Sequence, residues 1–233
     1  TQLVSENQHL AIGLGVALLV VVATKLAVSA GRPRQNGVLS ADEYQRFPLI
    51  EKTIVSHNTR LFRFGLPSEF ARLGLPLGRH ISLRAFIGNE ETRRPYTPIT
   101  SDNEVGHFDL LVKIYPEPHG KMSRHLDSLS IGETVDVRGP LGKFTYKRNS
   151  YAKLCMVCGG TGITPMWQVF REILADEDDT TEIVLVFANV TEDDILLRSE
   201  LLGIEKSNPR FSAYYVLNNP PASWTGGSGF VSE

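Results

Sequence analysis

Apolar and polar positions divide the chain into three stretches with different periodicity. Residues 10–30 ("LAIGLGVALLVVVATKLAVSA") are apolar almost without interruption, over about the length that a helix needs to cross a bilayer. Lys25 lies near the end of this run, and Arg32 and Arg34 follow it. A secretory signal peptide would carry its positive charge before the apolar run, and a buried helix would show a polar face. The pattern predicts a tail over residues 1–9 and a transmembrane helix over 10–30, with everything after residue 31 in the cytosol.

A polar linker at residues 31–46 leads into a second stretch, residues 47–150, in which short apolar runs alternate with turn formers. "GRHISLRAFI" and "HFDLLVKIYPEP" have the period of strands, and "SHNT" is a turn between two further strands. "ETVDVRGPLGKFTY" predicts a strand, a Gly-Pro turn and another strand. Residues 121–132 repeat apolar positions at helical spacing. This stretch predicts an antiparallel sandwich or barrel with one helix.

From residue 151 onwards, strands alternate with helices. Strand "KLCMVCGG" precedes helix "PMWQVFREILAD", strand "EIVLVFANV" precedes helix "DDILLRSELLGIEK", and strand "FSAYYVL" follows. This order predicts a parallel sheet with crossover helices over residues 151–233, about half of a doubly wound nucleotide-binding domain, with a third helix beginning at "GFVSE". The predicted fold class is α/β plus all-β: an antiparallel barrel, a partial parallel domain and an N-terminal transmembrane helix.

Charge and cysteine usage narrow the function classes. The net charge of -2 argues against a broad nucleic-acid-binding surface. Residues 36–150 hold 16 Lys+Arg against 13 Asp+Glu, whereas residues 151–233 hold 5 against 12. This asymmetry fits either two modules with different ligands or two solvated surfaces. Cys155 and Cys158 would face opposite sides of a strand, so we expect two small buried hydrophobic residues and no metal or disulfide.

Two glycine-led helix starts are candidate phosphate sites. In "CGGTGITPMWQVF", glycines between a strand and a helix let the backbone approach a ligand, and the helix start offers free N–H groups. In "HGKMSRHLDSL", Lys121 and Ser123 open a short helix. The alternatives are an ordinary structural turn for the first motif and an ordinary N-cap for the second.

The stretch "RRPYTPITSD" at residues 93–102 carries a third set of polar groups. Its prolines suit neither a helix nor a central strand, which predicts an edge strand. There Arg94 could clamp a diphosphate, Tyr96 could offer a ring face, and Thr97 could offer a hydroxyl to a heterocycle. Together with the two anion sites, this stretch predicts a dinucleotide cofactor held between two modules.

Six motifs in this order resemble the NADH–cytochrome b5 reductase family, part of the superfamily that includes ferredoxin–NADP reductase and the flavin part of nitrate reductase. The motifs, which span about residues 45–231, are "RRPYTPIT", "LLVKIYP", "GKMS", "GGTGITPM", "FANVTEDDILLRSEL" and "YYVLNNPPASW". The last ones are most similar to fungal members. The resemblance implies the cofactors FAD and NADH, and electron transfer to cytochrome b5 or a similar haem protein. It also implies attachment to membrane lipid at the endoplasmic reticulum or the mitochondrial outer membrane.

The resemblance also implies roles for individual residues. Thr97 would hydrogen-bond near flavin N5, His80 would belong to the same network, and Thr164 would touch the flavin ring. The diphosphate would be bound by Arg94 and cradled by Gly120, Lys121, Met122 and Ser123. The flavin or its ribityl chain would be lined by Pro95, Tyr96, Leu111, Lys113 and Tyr115. The approach of NADH would be shaped by Gly159, Gly160, Thr161, Gly162 and Pro165.

Three features depart from the family pattern. Arg79 stands where the family usually has Gln, and Asn218 stands where some members have an acid on the adenosine ribose, so the preference for NADH over NADPH stays open. The family's C-terminal segment, with a Cys-Gly-Pro-Pro motif and a terminal aromatic residue, is not in this sequence. The chain is therefore expected to be C-terminally truncated. The alternative function is a catalytically weak flavin-binding or interaction protein.

Overall fold

The computed structural model describes residues 37–231 of the chain. The predicted tail (1–9) and transmembrane helix (10–30) lie outside the described residues, as do the first six residues of the predicted linker (31–36). Within residues 37–231, no helix is both long enough and apolar enough to cross a membrane.

The first part of the described chain is an antiparallel sheet with one helix, here called the antiparallel module. Its elements are β1 (Gln45–Ser56), β2 (Thr59–Gly65), β3 (His80–Ile87), β4 (Glu90–Tyr96), β5 (His107–Lys113), α1 (Lys121–Ser128) and β6 (Thr134–Leu141). The strand order is β4-β3-β6-β1-β2-β5. The start of β1 pairs with β6 and the rest of it pairs with β2. The sheet surrounds a core in which the Phe64 and Phe108 rings stack at 5.3 Å and α1 buries Met122 and Leu126.

The second part, here called the parallel module, alternates strands and helices as the sequence predicts. Its elements are β7 (Lys153–Gly159), α2 (Ile163–Ala175), β8 (Glu182–Asn189), α3 (Arg198–Ser207), β9 (Phe211–Leu217) and β10 (Gly227–Ser228). All neighbouring strands in the order β10-β9-β8-β7 are parallel. The core of the module is built around Phe170, Phe187 and Phe211, which come from α2, β8 and β9.

Four predicted elements differ from the structure. No strand follows Leu141 in the stretch up to Tyr146, because β6 itself continues through the Gly-Pro pair. Helix α1 ends at Ser128, since Leu129 is already extended. The second crossover helix begins only at Arg198, because Leu197 takes a left-handed conformation (φ 56) after a separate 3-10 turn at Glu192–Asp194. No helix begins within residues 229–231, and the final two residues lie outside the described chain.

The cysteines confirm one expectation and correct another. Cys155 and Cys158 are both free, and they lie at positions of β7 that face opposite sides. Cys155 is exposed and Cys158 is only half-buried, so the expectation of two buried residues is wrong: one face of β7 is largely uncovered in the described chain. Burial raises the pKa of the Cys158 thiol to about 12. No cluster of three His, Cys, Asp or Glu side chains in the described residues is arranged to hold a metal ion.

Candidate functional site

A cavity of about 720 Å³ is lined by residues of both modules. This volume lies in the usual range of small-molecule and cofactor sites. Sixteen predicted site residues line it, namely His80, Arg94, Pro95, Tyr96, Thr97, Leu111, Lys113, Tyr115, Gly120, Lys121, Met122, Ser123, Thr161, Gly162, Thr164 and Pro165. Gly159 and Gly160 are not among the lining residues. The structure therefore brings four of the six sequence motifs, together with His80, to one place.

Strand β4 supplies an arginine and an aromatic ring to the cavity. It is an edge strand of the described sheet, so Pro95 can occupy it without removing a ladder hydrogen bond that a central strand would need. The Arg94 guanidinium donates to the Arg93 carbonyl at 2.7 Å and has no carboxylate partner among the described residues. Burial raises the pKa of Tyr96 to about 12, although nearby Arg94 acts in the opposite direction. The wall thus offers an unpaired cation beside a neutral ring.

The start of α1 forms a second part of the wall. Gly120 has φ 72, and a methyl group there would lie 2.5 Å from the Tyr115 carbonyl oxygen, so this position requires glycine. The helix start has no side-chain cap and no acidic residue in its first turn. Ser123 does not cap it: its hydroxyl donates to the Gly120 carbonyl at 3.0 Å and accepts from the Tyr115 N–H at 3.2 Å. Lys121 pairs with Glu90 at 2.6 Å. The N–H groups of the first turn are therefore available to an anion.

The parallel module contributes the start of α2. A 3-10 turn at Gly160–Gly162 precedes the helix, which again has no side-chain cap and no acid in its first turn. Thr164 is buried, and its hydroxyl donates to the Thr161 carbonyl at 3.2 Å. A methyl group on Gly162 would meet only Cys158 Cβ, at an ordinary 3.5 Å. Protein packing therefore does not require a glycine at position 162, and this residue lines the cavity.

An ion pair between the modules fixes Lys113 at the cavity wall. The Lys113 ammonium lies 3.0 Å from Asp194 Oδ1, and the Asp194 carboxylate also accepts from Thr191 and Asn58. Burial acts to raise the pKa of Asp194, but the hydrogen bonds from Lys113, Thr191 and Asn58 outweigh it and lower the pKa to about 2. Sequence reasoning missed Asp194. The sequence feature that could have identified Asp194 is its capping box with Thr191. This motif predicts the 3-10 turn, but it does not predict the contact with Lys113.

Four more residues line the cavity without having been predicted as ligands: Gly78, Arg79, Val112 and Gln168. Arg79 was noted only as a departure from the family pattern. Gln168 lies on α2 and hydrogen-bonds to the backbone of Gly78 and Arg79. No sequence pattern identifies these contacts, because about ninety positions separate the partners.

The lining residues suit an anionic, aromatic cofactor. An unpaired guanidinium and an uncapped helix start can bind a diphosphate. A neutral tyrosine ring and apolar neighbours can pack on a heterocycle. A second uncapped helix start, reached through glycines, lies across the same cavity. The residues present therefore fit FAD.

Comparison with known proteins agrees with this geometry. Residues 46–146 match the family model of the oxidoreductase FAD-binding domain, and residues 156–233 match that of the oxidoreductase NAD-binding domain. A protein named NADH-cytochrome b5 reductase 1 from Dictyostelium discoideum is 55% identical over 84% of this chain and 68% of its own length. Its namesake from Meyerozyma guilliermondii is 50% identical over 98% of this chain and 80% of its own length.

A solved structure shares the fold as well as the sequence. The cytochrome b5 reductase domain of Ulva prolifera nitrate reductase is 41% identical, with a TM-score of 0.79, and the match covers 84% of this chain and 81% of that one. The CS-b5R domains of human Ncb5or match at 32% identity with a TM-score of 0.70, over 86% of this chain and 58% of that one. The resemblance inferred from the six motifs is thus confirmed: the chain belongs to the NADH–cytochrome b5 reductase family.

Proposed function

We propose that this chain is an FAD-dependent reductase that takes a hydride from NADH and passes electrons one at a time to cytochrome b5 or a similar haem protein. Family membership supports the activity, and the two family models support FAD and NAD as cofactors. The observation that carries the proposal is the single cavity in which the Arg94–Thr97 segment, the start of α1 and the glycine turn before α2 meet.

Each wall has its own task in this proposal. Arg94 and the free N–H groups of α1 would bind the diphosphate, and Tyr96 and Leu111 would pack against the flavin part of FAD. Thr97, His80 and Thr164 would contact the ring and orient it. Gly162, which has no side chain, would leave room on the α2 side for the nicotinamide to approach. When bound, FAD supplies the redox chemistry that links a two-electron donor to a one-electron acceptor.

No side chain needs to transfer a proton during hydride transfer. The residues of the cavity therefore act by binding, orientation and exclusion of water. Lys113, held by Asp194, adds a fixed positive charge to the wall. We further propose that the antiparallel sheet forms the FAD-binding barrel implied by the resemblance, over residues 47–150, and that residues 151–233 form the partial NAD-binding domain.

We also propose that residues 10–30 anchor the chain to the endoplasmic reticulum or mitochondrial outer membrane, with the reductase part in the cytosol. The apolar run followed by Arg32 and Arg34 supports this location. Deletion of residues 1–31 should release the protein into the soluble fraction with its flavin. A deleted form that still sediments with membranes would contradict the anchor.

The activity can be tested on the purified full chain loaded with FAD. Under anaerobic conditions, stoichiometric NADH should bleach the flavin absorbance, and added oxidised cytochrome b5 should then show the spectrum of its reduced form. NADPH at the same concentration serves as the comparison that decides the cofactor preference left open by Asn218. A bound flavin that NADH never reduces would exclude the enzyme function and favour the flavin-binding alternative.

A further inference from the structure

Gln168 bridges the two walls of the cofactor cavity. It lies one turn after Thr164 on α2, and only 9% of its surface is exposed to solvent. Its Oε1 accepts a hydrogen bond from the Gly78 N–H at 2.9 Å, and its Nε2 donates to the Arg79 carbonyl at 3.1 Å. One side chain of the parallel module thus satisfies two consecutive peptide groups of the antiparallel module.

The segment that Gln168 holds is a tight corner at the entry to β3. Gly78 has φ 76, and a methyl group there would lie 2.1 Å from the Phe144 ring, so this position requires glycine. Arg79 and His80, the next two residues, both line the cavity. A displacement of the corner would therefore move His80 relative to Thr164, which lines the cavity from α2.

We propose that Gln168 is a positioning residue that sets the spacing between the His80 wall and the Thr164 wall around the flavin. This inference rests on the proposed function, because it concerns how FAD is held. An amide is the side chain that this role requires: it offers one acceptor and one donor side by side. A carboxylate keeps the acceptor but turns a second acceptor towards the Arg79 carbonyl. An apolar side chain leaves two peptide groups without partners.

Other contacts between α2 and the antiparallel module lie away from this cavity and provide a control. Arg171, three residues further along the helix, donates to the Ile99 carbonyl at 3.2 Å and pairs with Glu104 at 2.7 Å. Arg171 is not among the residues that line the 720 Å³ cavity. Replacing it by Met removes module-to-module bonds without touching the corner at Gly78.

The decisive variant is Gln168→Glu, measured by FAD dissociation constant and by the visible circular dichroism of bound FAD across a pH titration. When the introduced carboxyl is protonated, it can accept from Gly78 and donate to Arg79, so binding should match the wild type. When it ionises, the FAD dissociation constant should rise about tenfold, which corresponds to about 1.4 kcal/mol. Burial should raise the pKa of the introduced carboxyl, which brings the change towards neutral pH.

Ionisable side chains near position 168 also titrate in the wild type, so the wild-type titration is the reference from which the effect of the introduced carboxyl is measured. Arg79 and His80 face it from the antiparallel module, and Arg171, Glu172 and Asp102 line the adjoining crevice. Gln168→Met should weaken FAD binding by a similar factor at every pH. Arg171→Met should lower the thermal midpoint but leave the FAD dissociation constant and the flavin dichroism unchanged.

Several outcomes would overturn the inference. One is that both Gln168 variants bind FAD with the wild-type dissociation constant and dichroism at every pH. Another is that Gln168→Glu weakens FAD binding independently of pH and by the same factor as Arg171→Met. If neither Gln168 variant folds, hydrogen exchange of the wild-type Gly78 amide decides: protection supports the bridge, and exchange at the rate of an exposed turn contradicts it. A wild-type chain that stays colourless with FAD would instead overturn the proposed function, and this inference with it.

Discussion

The two walls of the cavity differ in charge. The wall from the antiparallel module carries four cationic side chains, Arg79, Arg94, Lys113 and Lys121. The lining residues from the parallel module, within the described part of the chain, are all uncharged: Thr161, Gly162, Thr164, Pro165 and Gln168. Lys113 and Lys121 are paired with Asp194 and Glu90, whereas Arg79 and Arg94 have no carboxylate partner among the described residues. The antiparallel wall can therefore bind anionic groups through its arginines, and the opposite wall is neutral.

This contrast does not follow from the charge totals of the two halves of the sequence. The parallel half has a large acidic excess, but acids such as Asp176 and Asp178 pair with Arg148 on the exposed surface. Asp194 is the acid of this half that acts near the cavity, and it does so by holding a lysine of the opposite module. The local pairing of each charge, rather than the sum, determines what the wall can bind.

The largest expected effect comes from breaking the ion pair that joins the two walls. Asp194→Ala would leave the Lys113 ammonium without its carboxylate partner, would remove one of the acceptors of the Asn58 amide and would remove the capping box with Thr191. Loss of one member of a largely buried pair should lower the free energy of unfolding by about 3 kcal/mol at pH 7. Urea unfolding of the purified full chain measures this. Asp193→Ala, at the exposed neighbouring position, is the matched control and should change stability by less than about 0.5 kcal/mol.

The effect of Asp194 should depend on pH in a defined direction. Its pKa in the folded protein, about 2, lies below the usual value of about 3.9, so its stabilising contribution is fully present above about pH 4. As the pH falls from about 4 towards 2, the carboxylate is protonated and the contribution is lost. The difference between the wild type and Asp194→Ala should shrink over that interval. A difference that stays constant with pH would show that the ion pair does not stabilise the fold.

The next largest expected effect comes from removing one cation from the wall of the antiparallel module. Arg94→Ala should weaken FAD binding by about 2 kcal/mol, or roughly thirtyfold, because it removes a charge-assisted contact to a diphosphate. Flavin content after gel filtration and the FAD dissociation constant give the measurement.

Arg93→Ala is the control for Arg94, because Arg93 is the adjacent arginine of β4. Arg93 pairs with Glu91 and is not among the residues that line the cavity. Its replacement should leave FAD binding unchanged. Equal losses in the two variants would mean that Arg94 acts through general charge and not by contact.

The predictions for Arg94 and for Asp194 differ in how much of the underlying contact can be inferred from the sequence. Arg94, Tyr96 and Thr97 are neighbours in one proline-marked segment, so local chemistry was enough to predict their cluster. The Lys113–Asp194 pair spans 81 positions and the Gln168–Gly78 bond spans 90. Such contacts follow from how the two modules dock, and nothing in the local sequence encodes them.

The same division holds for the fold. The strand and helix rhythm was predictable, because each element has its own hydrophobic period. The two-residue strand β10 was not, since Gly227 and Ser228 have no strand pattern and are defined only by pairing with Val216 and Leu217. The late start of α3 depends on the left-handed Leu197, a conformation that propensity does not predict for leucine.

The smallest effect tests the uncharged wall. Gly162→Ala should leave stability and FAD affinity nearly unchanged, because the added methyl group meets only Cys158 Cβ at 3.5 Å and Gly162 has an ordinary helical φ of -61. The methyl group should instead project where the nicotinamide approaches and raise the KM for NADH about fivefold, or about 1 kcal/mol. Gly203→Ala, in α3 with no atoms within 4 Å of the new methyl group, is the control: it should leave FAD affinity and the KM for NADH unchanged, and raise stability by up to about 1 kcal/mol because alanine has the higher helix propensity. If Gly162→Ala released FAD and left the KM for NADH unchanged, the α2 wall would serve the flavin, and the division of labour between the two walls would be wrong.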